Sequence, residues 1–341
     1  MKVIRYQNES EYLYAYSSLI RELYAGFPSV AETKVKAAKR NFDQDNPFLK
    51  HGNYSNYILF HEDKPAAHIS AIMDSRHPAD IGCIGCFESI NNSEFARHLF
   101  EEAKKFLVRH GKKVICGPVD LTTWQSFRVS YPEGRPPFFI EPFTRGYYRD
   151  LFRAYGFKVA QQNLSTIGEV EKTGFNMFGE DLKRLERENM IFESMTQESF
   201  PRIMHDIYEL TKEIFRDTWS FVPIGLDEFE YNIRDIAAML DRDFVYLVRN
   251  QEKLPVAFCF CIPDMYSKDV KRVVLKTIGV LPKYRGMGIG KALMYLLYRT
   301  ASEKKVSHCI VSTMRSDNKR MRDLTRSCTI YREYEAYELT L

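Results

Sequence analysis

The chain has 341 residues, of which 45% are hydrophobic and 28% charged, and this balance is typical of a globular protein and excludes wholesale disorder or a fibrous architecture. With 49 Lys and Arg against 45 Asp and Glu, the net charge of +4 is too small to indicate a nucleic-acid partner. No apolar stretch is long enough to span a membrane, and residues 1–10 lack the apolar region of a signal peptide, so we expect a cytoplasmic protein without a membrane partner.

Apolar periodicity in the first half predicts short strands and amphipathic helices in alternation. The predicted elements are a strand at 2–6, a helix at 12–23, a helical turn or two at 34–40, strands at 57–61, 66–73 and 81–90, a helix at 93–107, a strand at 113–116, a helix at 147–155 and a strand from 157. Residues 166–186 are polar and carry no strong strand pattern, so the junction between two domains is predicted there.

The second half repeats this order of elements. Its predicted elements are a strand at 190–195, helices at 199–214 and 226–239, strands at 244–248, 256–262 and 273–280, a helix at 288–302, a strand at 309–312, a helix at 318–327 and a strand at 330–339. Because both halves run strand, helices, hairpin, strand, helix, strand, helix and strand, we infer an internal duplication, although few residues are identical between the halves.

The seven cysteines are scattered and predict no metal site. Cys83 and Cys86 form a C-x-x-C, but they lie in a predicted strand, where residues three apart point to opposite faces. No second pair follows at zinc-finger spacing, so buried apolar cysteines are the expected interpretation.

One segment combines an apolar strand, a glycine-rich loop and an amphipathic helix, from Val280 to Leu293. Alternate glycines let the backbone approach a ligand closely, and the free N–H groups that open a helix attract anions. The segment therefore predicts a phosphate cradle, to which Arg285 and Lys291 could add positive charge.

Two common phosphate-binding motifs do not fit this loop. A P-loop needs glycine where Arg285 stands and a hydroxyl where Ala292 stands. The dinucleotide fingerprint needs glycine at the position of Lys291, and it opens a parallel unit rather than following a hairpin.

What does fit is R-x-x-G-x-G at residues 285–290, between an apolar strand and an apolar-faced helix. In this context the second half resembles the GNAT superfamily of acyl-CoA N-acyltransferases, whose signature binds the pyrophosphate of coenzyme A. The resemblance covers about residue 187 to the C-terminus. It implies an α/β (α+β) fold of two GNAT-like domains, each with a mixed, mostly antiparallel twisted sheet flanked by helices. Residues 1–165 would form a degenerate domain, 166–186 a linker and 187–341 the N-acetyltransferase domain.

The resemblance also implies which residues hold coenzyme A. Pantetheine would pair with backbone groups near Ile278 and Val280, and one N–H there, that of Val280, would stabilise the oxyanion. Asn318 matches a conserved family asparagine in position. The implied coenzyme A set is Ile278, Gly279, Val280, Arg285, Gly286, Met287, Gly288, Ile289, Gly290, Lys291 and Asn318.

The proton-transfer groups are less clear from the sequence. Many family members carry a tyrosine acid seven residues after that asparagine, but here the position is Thr325, a poor proton donor. Tyr331 and Tyr334 lie just beyond and are alternative acids to test, although ordinary strand aromatics are the favoured interpretation of each.

Candidate bases are Glu213 and Asp217, with Glu228 as a further possibility, and each is also explained as a solvated helix carboxylate. Trp219 lies in the loop between two helices that lines the acceptor pocket in relatives. It is therefore a candidate contact for the acceptor, with a core position as the alternative.

The first half lacks the glycine loop, because Glu88 to Asn92 stand in its place. It would serve as a scaffold or as one wall of the acceptor site.

The leading hypothesis is an enzyme that moves an acyl group from acetyl-CoA or another acyl-CoA to a small-molecule primary amine by direct attack, as a monomer or homodimer. A non-catalytic acyl-CoA-binding or sensing protein is the alternative, since Thr325 replaces the usual acid. Aminoacyl transfer from tRNA is a third, although such tandem proteins generally lack an intact coenzyme A loop.

Overall fold

The computed structural model describes residues 1–6 and 9–341 and shows a mixed α/β chain whose helices flank one large sheet. The first half contains β1 (Lys2–Tyr6), α1 (Glu9–Leu23), α2 (Pro28–Asn41), β2 (Gly52–His61), β3 (Lys64–Asp74), β4 (Ile81–Ser89), α3 (Ser93–Arg109), β5 (Val114–Gly117), β6 (Val119–Asp120), β7 (Ser126–Phe127), β8 (Val129–Tyr131), α4 (Tyr148–Tyr155) and β9 (Lys158–Glu169).

The second half continues with a helix that follows a short 3₁₀ turn at Phe175–Phe178. Its elements are α5 (Gly179–Arg187), β10 (Ile191–Ser194), α6 (Phe200–Ile214), α7 (Leu226–Ala237), β11 (Val245–Arg249), β12 (Pro255–Pro263), β13 (Arg272–Val280), α8 (Ile289–Glu303), β14 (His308–Arg315), α9 (Lys319–Leu324) and β15 (Thr329–Thr340). The predicted fold class is confirmed, and most predicted elements lie within a few residues of their observed bounds. In the described residues, no helix is both long and apolar enough to cross a membrane.

The two halves share a single 13-stranded sheet because they exchange their last strands. Twelve strands follow the order β1-β2-β3-β4-β5-β15-β9-β14-β13-β12-β11-β10, and the thirteenth, β8, pairs with β15 beside this path. The last strand of the first half thus lies beside β14, and the last strand of the chain lies beside β5. β9 and β15 pair with each other along nine register positions, from Thr329↔Ile167 to Glu338↔Lys158. Neither half therefore completes its sheet alone.

Residues 166–186, predicted as a linker, are structured. The first four belong to β9, and Phe175–Phe178 and α5 pack on α8. The polar composition of this segment reflects a short amphipathic helix, in which only Leu182 and Leu185 are buried. The domain boundaries at 165 and 187 stay a prediction, because β9 belongs to the sheets of both halves.

Apolar side chains pack on both faces of the sheet in each half. In the second half, α8 covers one face with residues such as Leu293 and Leu297, and α6 and α7 cover the other with Ile203 and Phe229. This second cluster also contains Phe138 from the first half. Burial of these side chains at about 25 cal/mol per Å² is the main stabilising term of the fold.

Polar contacts between the halves include a buried ion cluster. Arg76 lies between Asp74, at 2.7 Å, and Glu228 of α7, at 2.6 Å, and both carboxylate side chains are 1% exposed. Glu228 is thereby held by a structural partner, and this explains its burial without a catalytic role. The Trp124 indole N–H also donates to the Val222 carbonyl at 2.8 Å.

We expect Arg76→Ala to lower the free energy of unfolding by about 3 kcal/mol, because it leaves two buried carboxylates without a cation. Arg299→Ala is the matched control, since Arg299 pairs with Glu303 at 3.8 Å on an exposed face and such pairs contribute less than about 1 kcal/mol. Urea unfolding followed by circular dichroism measures both. Equal losses in the two variants would contradict the assigned role of Arg76.

Candidate functional site

The centre of the second half is a gap between β13 and β14. These strands pair in parallel from Arg272↔His308 to Leu275↔Val311, and the pairing then ends. On the other side, β13 stays paired with β12, and the Leu281 N–H donates to the Val256 carbonyl at 2.9 Å. Since backbone groups alternate in direction along an antiparallel pair, those of Ile278 and Val280 point away from β12 and into the gap.

The glycine loop lies at the open end of this gap. Gly286 has φ of 92° and Gly288 has φ of 93°, conformations that favour glycine. Gly288 is the N-cap of α8, and in the described part of the chain no side chain caps this first turn. The amides that open α8 are therefore free to bind an anion, as the sequence predicts.

Loop and gap share one cavity of about 1180 Å³. Every residue of the predicted coenzyme A set lines it, from Ile278 through Lys291 to Asn318. The candidate bases Glu213 and Asp217 line it as well. The structure thus brings together residues of β13, the loop, α6 and the segment after β14, which are far apart in the sequence.

Comparison with known proteins agrees with this geometry. Residues 204–329 match the model of the acetyltransferase (GNAT) family. Across nearly its whole length the chain is similar in structure to a tandem GNAT protein from the clavulanic acid biosynthesis pathway, with TM-score 0.61 and 10% identity, covering 99% of this chain and 98% of that one. The chain therefore has the fold of a tandem GNAT protein.

Two GCN5-related N-acetyltransferases have a similar structure. For that of Sphaerobacter thermophilus the TM-score is 0.56 at 11% identity, covering 99% of this chain and 95% of that one. For that of Anabaena variabilis the TM-score is 0.57 at 10% identity, covering 99% and 72%. No curated protein sequence matches the chain significantly.

The segment predicted as a linker forms one side of the GNAT cavity, and sequence reasoning missed it. A Cβ added at Gly288 would lie 2.7 Å from Asp181 Oδ1 and 2.9 Å from Arg184 Nη2, both on α5. Arg184 also donates to the Met287 carbonyl at 2.5 Å. Asp181 lies 4.0 Å from the Lys291 ammonium. α5 therefore closes over the loop and leaves no room for a side chain at position 288.

The family acid is absent from its usual place. The Thr325 hydroxyl is buried and donates to the Met321 carbonyl at 2.9 Å, so it is occupied within its own helical turn. Asn318 lines the cavity, and its side-chain oxygen accepts from the Met321 N–H at 3.2 Å, at the start of α9.

The structure argues against Tyr331 and Tyr334 as substitute acids, because each hydroxyl is bonded to an acceptor within the protein. The Tyr331 hydroxyl donates to the Pro136 carbonyl at 2.6 Å. Tyr334 is fully buried, and its hydroxyl donates to Glu141 at 2.6 Å. Burial raises the pKa of both hydroxyls, and Glu141 raises that of Tyr334 further. Both residues lie on β15, where strand exchange carries them toward the first half.

Trp219, the predicted acceptor contact, is not among the residues that line the cavity. Its indole N–H donates to Glu338 at 2.6 Å, and its ring packs against the apolar core of the first half, near Phe127. Trp219 is thus a partly buried ring packed against the first-half core, and the loop after α6 contributes Asp217 and Thr218 to the cavity.

In the first half the equivalent gap is filled by protein. β4 and β5 pair in parallel as far as Cys83↔Cys116 and then part. A Cβ at Gly85 would lie 2.0 Å from the Val119 carbonyl oxygen, and the Cys86 N–H donates to Asp120 at 2.5 Å. The chain at 118–120 thus occupies the space that stays open between β13 and β14.

At the inner end of the open gap lies a lysine that sequence reasoning also missed. Lys276 sits at a β-bulge of β13, where the register shifts between Thr277↔Phe260 and Leu275↔Cys261. Burial, reinforced by the nearby Arg128 of the first half, lowers the pKa of Lys276 to about 8. No sequence pattern identifies it, because Arg128 is 148 positions away in the chain.

The described residues contain no group of three or more His, Cys, Asp or Glu side chains arranged to hold a metal. Cys83 and Cys86 are free and buried, and they share one apolar cluster because the bulge at Cys86, with φ of 48°, alters the strand alternation. The expectation that they face opposite sides is therefore wrong.

We expect Lys276→Met to raise the free energy of unfolding by about 2 kcal/mol at pH 7. The lowered pKa means that folding destabilises the charged form of Lys276. Each unit of pKa shift corresponds to about 1.4 kcal/mol, and the partial exposure of the side chain reduces this cost. The lysine of the unfolded chain has a pKa near 10.4, so from about pH 8 upward the unfolded wild type binds more protons than the folded wild type. The free energy of unfolding of the wild type therefore rises with pH, and its difference from that of Lys276→Met becomes smaller. Urea unfolding at pH 7 and pH 10 measures this, and a difference that does not change with pH would contradict it.

Proposed function

We propose that this protein is an N-acyltransferase that moves an acyl group, most simply acetyl, from acyl-coenzyme A to a primary amine of a small molecule. The observation that carries the proposal is that an uncapped glycine loop and an open strand gap face the same cavity. This combination offers a phosphate site and an extended backbone edge side by side.

The residues present fit acyl-coenzyme A. The diphosphate would lie against the amides of residues 286–290, where a Cβ at Gly286 would meet nothing within 4 Å. Arg285 and Lys291 are exposed at the same loop and would complement its charge. The pantetheine amides would pair with the backbone of Ile278 and the Val280 N–H, which point into the gap, while the Val280 carbonyl accepts from Arg285 Nε at 3.1 Å.

Bound acyl-coenzyme A supplies an activated thioester. The chain's own residues orient it: the loop fixes the diphosphate, β13 fixes the thioester carbonyl, and the Val280 N–H is the proposed donor to the developing oxyanion. As the acceptor nitrogen bonds to the carbonyl carbon, the carbon–sulfur bond breaks and the thiolate takes up a proton.

The acceptor ammonium must lose a proton before it attacks. Of the candidate bases, Glu213 and Asp217 remain in this proposal, because both line the cavity and neither has a structural ion pair like that of Glu228. The first half, residues 1–165, serves as a scaffold in this proposal, since the residues that line the cavity lie between 173 and 327, and it binds no second coenzyme A.

Gly288→Glu should abolish acetyl-CoA binding, because the left-handed backbone at 288 disfavours a side chain and the new one would collide with Asp181 and Arg184 of α5, which displaces the loop. Gly26→Glu is the matched control: a Cβ there meets nothing within 4 Å, so we expect wild-type affinity. Isothermal titration calorimetry measures both. Wild-type affinity in Gly288→Glu would refute the loop assignment.

Substitution in the first half should leave this affinity intact. We expect Asn91→Ala to bind acetyl-CoA as the wild type does, since residues 118–120 fill the equivalent gap. The same calorimetric titration tests it. A clear loss of affinity would show that the first half also holds coenzyme A.

The double variant Glu213→Gln, Asp217→Asn should lower kcat by about 100-fold and leave acetyl-CoA affinity unchanged, if these carboxylates remove the ammonium proton. Tyr331→Phe should retain wild-type turnover, because its hydroxyl donates to Pro136 outside the cavity. Release of free thiol from acetyl-CoA measures both. The reverse pattern would restore Tyr331 as the acid.

A second candidate function rests on Thr325, whose hydroxyl is occupied by the Met321 carbonyl and leaves the family acid without a replacement. A protein that binds acyl-CoA without transferring its acyl group would be stabilised by acetyl-CoA in a thermal shift assay and would release no thiol with a broad panel of amines.

A further inference from the structure

We propose that Arg128 and Lys276 together bind a carboxylate of the substrate at the inner end of the gap between β13 and β14. This inference rests on the proposed acyl transfer and adds the chemical class of the substrate. It places one residue of the first half in the binding site of the second.

Lys276 is the first residue of β13 beyond its pairing with β14, which ends at Leu275. Across the bulge, Lys276 and Thr277 together oppose Phe260 of β12. Phe260 belongs to the cluster covered by α6, on the side from which Glu213 and Asp217 enter the cavity. Lys276 is therefore placed where the gap begins, and its side chain is only partly buried.

Arg128 reaches this point from the connection between β7 and β8. Its φ of 95° is unusual for a residue with a side chain and turns the chain locally. The guanidinium Nε donates to Asn163 Oδ1 at 3.0 Å. Asn163 lies on β9, directly opposite Tyr334 of β15 in register. The exchanged strands thus hold the guanidinium, and its remaining N–H groups are available to a ligand.

What distinguishes these two cations is that they have no anion. Two other enclosed arginines have a carboxylate partner: Arg332 has Glu141 at 2.6 Å, and Arg272 has Asp264 at 2.6 Å. Among the described residues, no Asp or Glu forms an ion pair with Arg128 or Lys276. Two enclosed cations that act on each other and have no counterion are unfavourable unless a ligand supplies one.

The pKa values of Arg128 and Lys276 agree with two enclosed cations that lack a counterion. Burial lowers the pKa of Arg128 to about 9, and burial together with Arg128 lowers that of Lys276 to about 8. A bound carboxylate would offset both effects. A guanidinium is suited to carboxylates because its N–H groups match the two oxygens.

The carboxylate could belong to the acceptor amine, as in an amino acid, or to a dicarboxylic acyl group. Both place the same anion near the thioester, and the experiment distinguishes them.

Thiol release is measured with acetyl-CoA and acceptor pairs that differ by one carboxylate: lysine and cadaverine, ornithine and putrescine, tyrosine and tyramine, histidine and histamine. Succinyl-CoA is then compared with acetyl-CoA on the amines.

The variants are Arg128→Gln, Arg128→Lys and Lys276→Met, with Lys36→Gln on the exposed face of α2 as control. We expect the wild type to prefer the carboxylate member of a pair. Arg128→Gln should raise KM for that member about 10- to 100-fold, the range for a charged hydrogen bond, and leave KM for acetyl-CoA and for the plain amine unchanged. Arg128→Lys should restore part of the preference, and Lys36→Gln should behave as wild type.

A preference for succinyl-CoA that is lost in Arg128→Gln would support the site and assign the carboxylate to the acyl group. Equal use of both pair members with both donors would overturn the inference, as would an equal KM change for both members in Arg128→Gln.

If acetyl-CoA binds but no acceptor releases thiol, the transferase proposal fails, and the melting temperature with 10 mM amino acids decides the site separately. Stabilisation of the wild type but not of Arg128→Gln would support it, and no stabilisation would overturn it. If acetyl-CoA does not bind, the proposed function fails by that result alone, and the same melting assay applies.

Discussion

The architecture of the site depends on the loss of pairing along β13 after Leu275. A strand that parts from its neighbour leaves backbone N–H and C=O groups without partners, and burial of such groups is costly unless another group satisfies them. The two halves meet this requirement differently. In the first half, the carbonyl of Val119 and the carboxylate of Asp120 approach β4 and fill the space. In the second half, the backbone of Ile278 and Val280 faces a cavity that also contains the start of α8. One duplicated fold therefore has one closed gap and one open gap.

Strand exchange holds the two halves of the chain against each other. Because β9 and β15 each lie in the sheet of the other half, residues 124–143 of the first half are held against α6 and α7. Arg128 approaches β13 for this reason, and the ion cluster of Arg76 with Glu228 closes the same side. The half without the loop motif is thus held against the helices that cover the sheet of the second half.

The glycine loop could be predicted from the sequence because its chemistry is local: Gly286 and Gly288 need left-handed backbone conformations, and a helix follows within one residue. The order of strands and helices follows equally from local periodicity. The remaining features depend on residues distant in the chain. α5 looked like a linker because it buries only two leucines, and its contact with Gly288 exists only after folding. The approach of Arg128 to Lys276 likewise requires the exchanged strands. The position of Tyr331 depends on the same exchange, because Tyr331 lies on β15.

The most direct test of the central claim is backbone hydrogen exchange with and without acetyl-CoA, since exchange reports the protection of individual amides. The account predicts slower exchange at residues 278–280 and 286–291 when acetyl-CoA is present, and no change at residues 88–92. Protection at 88–92, or none at 286–291, would contradict it.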